Sequence, residues 1–462
     1  MTTLLERPGS FGQQHFGACQ LGDQRRQRRL VQLADALLAH PEGSLPQKLQ
    51  QPAAYKALCR LVNQPQVTHA AVLAPHLAQT RAALRAHPGV VLLLHDTTEL
   101  DFSGHTTLAL GQIGNGQGQG YECHHSLAVD PATGQVLGLA NQILHQRRRV
   151  PPGEGVAAKR SHPGRESRLW LQGVTALGPA PAGACWVDVC DRGADTFEFL
   201  EYEVQHGRPF VIRSTHNRAL LLDEGPGAVP YLHDWLRLQP ACLGWTSRVG
   251  GQAGQPVRQA KWQAVAVPVR VRAPHVRRGE HGRAPLALVA VRVWEVEPPA
   301  GVQPLEWVLL THGPLDTADA LRQRVAWYAC RPLVEEFHKA QKTGVALEGL
   351  RFQSQAGLEP VIGLLSVVAV ALLNLRVAAR VAAEAARPAA ELVDPLWVEV
   401  LSVWRYQERR PLTVREFILA LGRLGGHLKR PRDGLPGWQT LWKGWNQLHA
   451  MITYELSRRR CG

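Results

Sequence analysis

Apolar positions in the first 85 residues recur at helical spacing. In segment 25–40 the leucines and alanines repeat every three or four residues, which predicts an amphipathic helix. A second helix is predicted over 53–63, before the break at Pro65, and a third over 69–87. The pattern therefore predicts a compact helical domain over residues 1–85.

The pattern changes at residue 90. Residues 90–102 begin with the apolar run VVLLL, which is typical of a buried central strand. Residues 121–130 and 136–146 flank the turn sequence PATG and predict a hairpin. Helix, strand, helix and strand are then predicted over 165–177, 184–191, 194–206 and 209–216. Three strands followed by this alternation predict a mixed α/β domain.

The α/β domain is predicted to extend over 86–370 and to contain a β-rich insertion at about 230–312, where short β-rich runs are separated by Gly, Pro and Arg. Residues 371–462 form a predicted helical C-terminal domain. Helices are predicted over 316–342, 358–386, 391–408 and 412–424. The apolar stretch 358–386 is either core against the sheet or a dimer surface, and we favour core for 360–375.

Composition excludes several classes of protein. The chain has 462 residues, of which 45% are hydrophobic and 19% charged, so we expect a globular protein. The longest apolar run, 361–375, is followed at once by Arg376, which argues against a membrane span. Eight cysteines without a CxxC pair argue against a zinc ribbon or disulfide scaffold. The start of the chain lacks a signal-peptide pattern, so we expect a cytoplasmic location and no membrane partner. The adjacent His124 and His125 are expected to be hydrogen-bonded strand residues.

The charge points to a polyanionic partner. The formal net charge is +14, and the excess is concentrated at the two ends of the chain. Residues 1–85 carry ten Lys/Arg against four Asp/Glu, and residues 343–462 carry sixteen against ten. Basic helical flanks around a nearly neutral centre are typical of a nucleic-acid-binding protein. The alternative is that the excess reflects an arginine-rich composition and solubility.

Three carboxylates have positions suited to chemistry. Asp96 follows the apolar strand VVLLLH, Asp191 follows the strand ACWVDVC, and Glu335 lies in a predicted helix after the insertion. Two carboxylates at strand ends together with a helical one could hold two Mg²⁺ ions for phosphoryl transfer. The alternative for each aspartate is a helix cap or turn residue, and Asp188 and Asp195 are local competitors of Asp191.

The segment 327–344, WYACRPLVEEFHKAQKTG, carries the most specific pattern. In a continuous helix Tyr328, Arg331, Glu335, Lys339 and Lys342 share one face. A carboxylate flanked by cations suits a metal ligand beside phosphate-binding groups. The alternative is a set of surface ion pairs, and a proline after Arg331 would alter the entry turn.

These motifs resemble a known family. D-T-T at 96–98, C-D-R-x-A-D at 190–195 and Y-x2-R-x3-E-x6-K at 328–342 are similar to motifs of the insertion-sequence-four family of bacterial cut-and-paste transposases. The similarity begins at L-G-D-x-R-R, A-Y-K and N-x-P-x-V in the first 67 residues and extends to about residue 375.

The resemblance implies an RNase H-like catalytic core interrupted by a β-rich insertion. It also implies a catalytic triad of Asp96, Asp191 and Glu335 that binds two Mg²⁺ ions, for which Mn²⁺ can substitute. Further residues are implied to contact DNA, with Trp307 lining a pocket for a flipped base. They are Tyr328, Arg331, Lys339, Lys342, Arg213, Trp307, Arg25, Arg26, Tyr55 and Lys56.

The implied function is cut-and-paste transposition. The protein would bind the inverted repeats at transposon ends, cleave them through a hairpin and join the 3′-OH ends to target DNA. The family works as a homodimer on paired ends, and the helical C-terminal region would supply dimer contacts. The implied location is the bacterial cytoplasm, in association with the nucleoid. Two alternatives remain: a host-adapted metal-dependent nuclease, and a non-catalytic DNA-binding inhibitor of transposition.

Overall fold

A computed structural model describes residues 11–461 with several gaps. The gaps are residues 106, 222–230, 250–256, 276–280, 378, 392, 429 and 431–433. The first ten residues of the predicted N-terminal domain, and parts of the predicted insertion, lie outside the described residues.

The described part of the N-terminal region consists of five helices: α1 (Phe11–Phe16), α2 (Gln24–Ala39), α3 (Leu45–Leu49), α4 (Pro52–Val62) and α5 (His69–Ala86). The three helices predicted here are confirmed as α2, α4 and α5. Their starts follow from local chemistry, because the Asp23 carboxylate accepts the backbone N–H of Arg25 and the Thr68 hydroxyl accepts that of Ala71. The helices α1 and α3 were not predicted, since five or six residues are too few to show a helical period.

Among the residues that the structure describes, ten strands form one continuous sheet. They are β1 (Val90–Asp101), β2 (Gly111–Gln112), β3 (Gln119–Val129), β4 (Val136–His145), β5 (Cys185–Cys190), β6 (Phe210–Arg213), β7 (Leu243–Val249), β8 (Arg258–Val271), β9 (Leu286–Val296) and β10 (Glu306–Thr311). The order is β2-β3-β1-β5-β6-β10-β9-β8-β7, and β4 also pairs with β3. The strands β1, β5 and β6 are parallel, whereas the other pairings are antiparallel.

Helices follow the core strands: α6 (Val156–Ser161), α7 (Leu169–Leu177), α8 (Phe197–Gln205) and α9 (Leu232–Arg237). The mixed α/β architecture is therefore confirmed. The strand β1 is apolar on both faces because both faces are covered. Leu92 and Leu94 pack into the main core, whereas Val91 and Leu93 pack with Leu177 of α7.

The predicted insertion does not form a separate sheet. Its last strand, β10, pairs with the core strand β6 on one side and with β9 on the other. The strands β7 to β9 therefore extend the central sheet. Antiparallel pairing needs no crossover, so consecutive strands can be added to a sheet edge in this way.

Seven helices complete the described part of the chain: α10 (Ala318–Ala329), α11 (Pro332–Lys339), α12 (Gln355–Asn374), α13 (Ala382–Ala385), α14 (Pro395–Tyr406), α15 (Val414–Leu424) and α16 (Trp438–Cys461). The predicted helix 316–342 is divided, because Pro332 starts a new helix and has no N–H to continue the first. The predicted helix 358–386 ends at Asn374, within the range that we expected to be core. The long α16 was not predicted.

The helix α12 is the central helix of the fold. It is long and apolar enough to cross a membrane, but 83% of its most apolar window is buried inside the protein. It packs against α2, α4 and α5 on one side and the segment after α11 on another. The favoured interpretation of 360–375 as core is confirmed. The division into three domains stays a prediction, and its boundary at residue 370 falls within α12.

Candidate active site

Two of the predicted site residues come together where the parallel strands β1 and β5 part. Their register pairs His95 with Cys190, so Asp96 and Asp191 are the next residue on each chain. Asp96 does not end its strand, because β1 continues to Asp101 along β3. The two aspartates occupy the crevice at the carboxyl end of parallel strands, where α/β proteins commonly bind ligands.

Asp96 is the most buried of the three predicted carboxylates. Burial, reinforced by the charge of Asp191, raises the pKa of Asp96 to about 7. Two donors partly oppose this rise: the backbone N–H of Thr97, 2.9 Å from Oδ1, and Nη1 of Arg331, 3.1 Å from Oδ2. A cation bound nearby would therefore strongly stabilise the charged form of the Asp96 carboxyl group.

Asp191 is held by the turn that follows β5. Its Oδ1 accepts the backbone N–H of Gly193 at 2.9 Å, and burial raises its pKa. Gly193 lies against Trp170 of α7, so closely that a Cβ at this position would lie 2.2 Å from the indole Cζ2. The glycine thus permits the close approach that fixes this turn.

Glu335 reaches the same point from α11. One guanidinium joins the site, because Arg331 donates to Asp96 through Nη1 and to Glu335 through Nη2. Burial lowers the pKa of Arg331, but the charges of Asp96 and Glu335 outweigh it and the net shift is upward. The Glu335 side chain is 47% exposed, so this carboxylate faces the solvent side of the crevice.

The donor set suits a hard divalent cation. Three carboxylates influence one another here, since Asp191 and Glu335 both raise the pKa of Asp96. Within the described ranges, however, no three acidic, His or Cys side chains already form a group that could hold a metal. Arg331 bridges two of the carboxylates where a cation would bind, so the residues fit Mg²⁺ in chemistry and would need Arg331 to turn away.

The two competing aspartates serve the fold. Asp188 is buried and accepts hydrogen bonds from His95 at 2.8 Å and from Arg208 at 2.7 Å. Asp195 is buried too, and it accepts from the backbone of Thr215 and pairs with Arg218. Both carboxylates are satisfied by these partners and turn away from Asp96.

The buried histidines behind β1 are hydrogen-bonded, as predicted for the adjacent pair. Nδ1 of His124 lies 2.9 Å from the Thr97 hydroxyl. Nδ1 of His125 lies 3.1 Å from Nε2 of His338 on α11. Burial lowers the pKa of both strand histidines, so they are neutral at physiological pH. His338 links α11 to the sheet, a contact that the sequence did not predict.

An aromatic group lies beside the carboxylates. The rings of Trp307 and Tyr328 meet edge to face at 5.3 Å between centroids. Burial raises the pKa of Tyr328, and the guanidinium of Arg213 opposes the rise. Trp307 also borders a cavity of about 320 Å³ that is lined by Trp245 and Trp262. These two tryptophans were missed because strand patterns do not show which side chains meet.

The predicted common face of the 328–342 segment is only partly observed. Tyr328, Arg331 and Glu335 lie at the site, but the helix breaks before Pro332 and residues 340–344 form a π-helical turn. Lys339 pairs with Glu336 at 3.2 Å, and Lys342 pairs with Glu348 at 3.3 Å. The two lysines therefore do not contact the three carboxylates.

The four N-terminal candidates differ in exposure. Arg25 and Lys56 are exposed. Arg26 is half-buried and joins the start of α2 to the residues after α4, by donating to Gln64 at 2.9 Å and Gln66 at 2.8 Å. Tyr55 is half-buried against the core. Arg26 and Tyr55 thus stabilise the helical fold whatever else they do.

The sheet and its acidic crevice define an α/β protein with a carboxylate site between two parallel strands. Residues 8–67, which include α1 to α4, match the family model of a transposase DNA-binding domain. This match supports a DNA-binding transposase, and DNA is accordingly a partner of the chain.

Proposed function

We propose that the chain is a cut-and-paste DNA transposase of the insertion-sequence-four family that acts through Asp96, Asp191 and Glu335. The observation that carries the proposal is the convergence of these carboxylates, from β1, the turn after β5 and α11, around one guanidinium. The domain matched at residues 8–67 supports DNA as the substrate.

The strand order supports an RNase H-like core within this enzyme. The strands β4, β3 and β1 are neighbours in antiparallel pairs, and β5 and β6 follow in parallel beside β1. The strands β7 to β9 lie between the second aspartate and Glu335 in sequence, as the resemblance implies for an insertion.

We propose that Asp96, Asp191 and Glu335 hold two Mg²⁺ ions, for which Mn²⁺ can substitute. Carboxylate oxygens are the ligands that Mg²⁺ prefers, and because burial and the neighbouring carboxylates raise the pKa of both aspartates, a bound cation would favour their charged forms. When bound, such ions supply a metal-activated water and stabilise charge on the phosphate oxygens.

Arg331 has a double role in this proposal. In the structure it pairs with Asp96 and Glu335 and so limits the repulsion between them. A guanidinium also binds phosphate in a bidentate manner. A DNA phosphate that takes over Arg331 would release both carboxylates, so substrate binding and completion of the site would be coupled.

The proposed reaction has four displacements at phosphorus. One strand is nicked at the transposon end, the freed 3′-OH attacks the opposite strand to form a hairpin, water opens the hairpin, and the 3′-OH attacks target DNA. We assign the pocket beside Trp307 to a base flipped out near the cleavage site, since stacking on an aromatic ring contributes about 1–3 kcal/mol per base. Tyr328, Arg213, Lys339 and Lys342 are proposed to contact the transposon end.

The N-terminal helices are proposed to hold the inverted repeat through Arg25, Arg26, Tyr55 and Lys56. The C-terminal helices are proposed to mediate a homodimer on paired ends. An open groove of about 610 Å³ between α14 and α16 supports this arrangement, because its lining includes Val403 and the exposed Tyr454.

The products formed by the full-length protein test the proposal. The substrate is labelled DNA carrying the element's own end with its flanking sequence, incubated with Mg²⁺ or EDTA. We expect a nick, then a slowly migrating hairpin, and joining to a supercoiled plasmid, all absent in EDTA and with Asp96→Asn. Binding without cleavage would favour the inhibitor, and nicking without hairpin or joining would favour the nuclease.

A further inference from the structure

A basic cleft lies beside the hairpin formed by β2 and β3. It has a volume of about 930 Å³ and is open to solvent. The glycine-rich segment 111–119 forms one wall, and residues 146–150 with 159–166 form the other. None of these residues belongs to the site described above, and the domain matched at 8–67 does not include them.

The lining is predominantly cationic. Five Lys and Arg residues face one lining carboxylate, Glu166. The cations are Arg147, Arg148, Arg149, Lys159 and Arg165. Three of them are fixed by carboxylates.

These ion pairs hold the wall in place. Arg147 pairs with Glu166 and with Glu122, the latter at 3.0 Å. Arg148 pairs with Glu154, and Arg165 with a carboxylate of α8. Arg149 and Lys159, by contrast, are exposed at the mouth of the cleft. The paired arginines shape the wall, and the two exposed cations are available to a ligand.

The glycine-rich wall keeps the cleft narrow and unobstructed. A Cβ on Gly111 would lie 2.7 Å from the backbone nitrogen of Arg147, so the two walls meet closely at their base. The backbone N–H of Gly114 donates to Oε1 of Glu99 at 2.7 Å, which anchors the loop to β1. At the tip, a Cβ on Gly116 would meet nothing within 4 Å. An extended, negatively charged chain could lie along this wall without steric hindrance.

The cleft lies along the same strand as the candidate active site, but Glu99 and Asp96 face opposite sides of β1. Its anchor, Glu99, follows Asp96 by three residues in β1, roughly 10 Å along the strand. Its other wall leads directly into α7, where Trp170 lies against Gly193 beside Asp191. No described residue of the N-terminal helices lines the cleft, and α2 and α4 pack against α12. The cleft and the exposed cations of the N-terminal helices are therefore separate basic surfaces of the described chain.

We propose that this cleft binds the phosphodiester backbone of DNA beyond the scissile phosphate, on the side away from the end held by the N-terminal helices. The inference rests on the proposed function. Positively charged side chains and exposed backbone at a cleft contact phosphates and do not read bases, so the contact is independent of sequence. Such a contact suits DNA whose sequence varies from one site to another.

A salt titration of DNA binding by the full-length protein tests this cleft. The probe is a fluorescein-labelled duplex of about 30 base pairs and arbitrary sequence, observed by anisotropy. The variant is Arg149→Ala/Lys159→Ala, which leaves the paired arginines intact. The matched control is Arg85→Ala, an exposed cation at the end of α5, before β1 and hence at the other end of the sheet.

We expect the magnitude of the negative slope of log K against log salt to decrease by about 1.8 in the double variant, since each lost phosphate contact removes about 0.9 from it. The slope for Arg85→Ala should equal that of the wild type. Gly116→Glu, which adds a negative charge at the open loop tip, should also weaken binding. Thermal melting of each variant shows whether it is folded.

An unchanged slope in the folded double variant would overturn the proposal that the cleft binds DNA. A decrease in slope for Arg85→Ala that equals the decrease per removed charge in the double variant would overturn it too. These results are separable from the proposed function. If the double variant shows the expected slope change but the wild type never cleaves DNA with Mg²⁺, the transposase proposal alone is contradicted. If the wild type cleaves DNA but the double variant shows no slope change, only the proposal that the cleft binds DNA is contradicted.

Discussion

The burial of Asp96 makes the stability of the metal-free protein depend on pH. The pKa of this carboxyl rises from 3.8 to about 7 on folding. Between these values the folded protein binds more protons than the unfolded chain, so stability falls as the pH rises through this range. At 1.36 kcal/mol per pH unit, this rise in the pKa of Asp96 lowers the stability of the folded protein by roughly 4 kcal/mol at pH 8 and by roughly 2 kcal/mol at pH 5.

Asp96→Asn removes this cost and keeps an acceptor for the backbone N–H of Thr97, while the amide nitrogen replaces the oxygen that accepts from Arg331. We therefore expect it to stabilise the protein in EDTA by roughly 2–3 kcal/mol more at pH 8 than at pH 5. The measurement is urea unfolding of both proteins at the two pH values. The control is Asp101→Asn in the same strand, because Asp101 is exposed and the pKa of its carboxyl is lowered by hydrogen bonds from Ser103.

A pH-independent difference between Asp96→Asn and the wild type would refute this reasoning, because it would show that the carboxyl is not perturbed by burial and by Asp191. A stabilisation at pH 8 that is larger for Asp101→Asn than for Asp96→Asn would refute it as well. Saturating Mg²⁺ should stabilise the wild type more than Asp96→Asn at pH 8, because only the wild type then gains a partner for the charged carboxylate.

Three further variants test the surroundings of the site. Gly193→Ala should lower the rate of DNA cleavage at least tenfold with little change in DNA affinity, because its Cβ would lie 2.2 Å from Trp170 and displace the Asp191 turn. Parallel cleavage and anisotropy assays measure both quantities, and a normal cleavage rate would contradict this prediction. Trp307→Ala should form nicks but few hairpins, and Trp307→Phe should restore hairpin formation. Gel analysis of labelled products measures the hairpin yield, and equal yields for wild type and Trp307→Ala would contradict the proposed stacking role. Burial lowers the pKa of His338 to about 3, so acid destabilises the fold as the pH falls below about 6.5. His338→Gln should therefore reduce the loss of stability between pH 6 and pH 4, and an unchanged loss in acid urea titrations would contradict this.

The sequence predicted that each aspartate ends an apolar strand, which is confirmed for Asp191 after β5 but not for Asp96, which lies within β1. The run VVLLL is typical of a strand buried on both faces, and β5 is apolar in the same way. In a strand, alternate residues face opposite sides, so Asp188 and Asp191 point in different directions. This alternation separates the fold-stabilising aspartate from the site residue without any knowledge of tertiary contacts.

The bridge formed by Arg331 could not be predicted from spacing. Its position depends on the break before Pro332, which turns α11 relative to α10, and on the contact between α11 and β1. The same break and the following π-helical turn carry Lys339 and Lys342 toward Glu336 and Glu348. A helical projection that assumes 3.6 residues per turn cannot include either effect.

The extension of the sheet and the tryptophan-lined cavity were also beyond sequence patterns. Apolar alternation indicates that β10 is a strand, but its partners are set by non-local pairing with β6 and β9. Trp245 and Trp262 lie on two insertion strands and meet Trp307 only because that pairing joins the insertion to the core.

Glu335 is proposed to belong to a carboxylate triad that cleaves DNA. The most direct measurement is the single-turnover rate of nicking of a labelled transposon end in Mg²⁺, for the wild type, Glu335→Gln and Glu336→Gln. Glu336 is the matched control, since it lies in the same helix but pairs with Lys339 and accepts from Trp438. We predict that Glu335→Gln slows nicking at least about a thousandfold, as expected for the loss of several kcal/mol from a metal site, and that Glu336→Gln stays within about tenfold of the wild type. Nicking by Glu335→Gln at a rate close to that of the wild type would contradict the account.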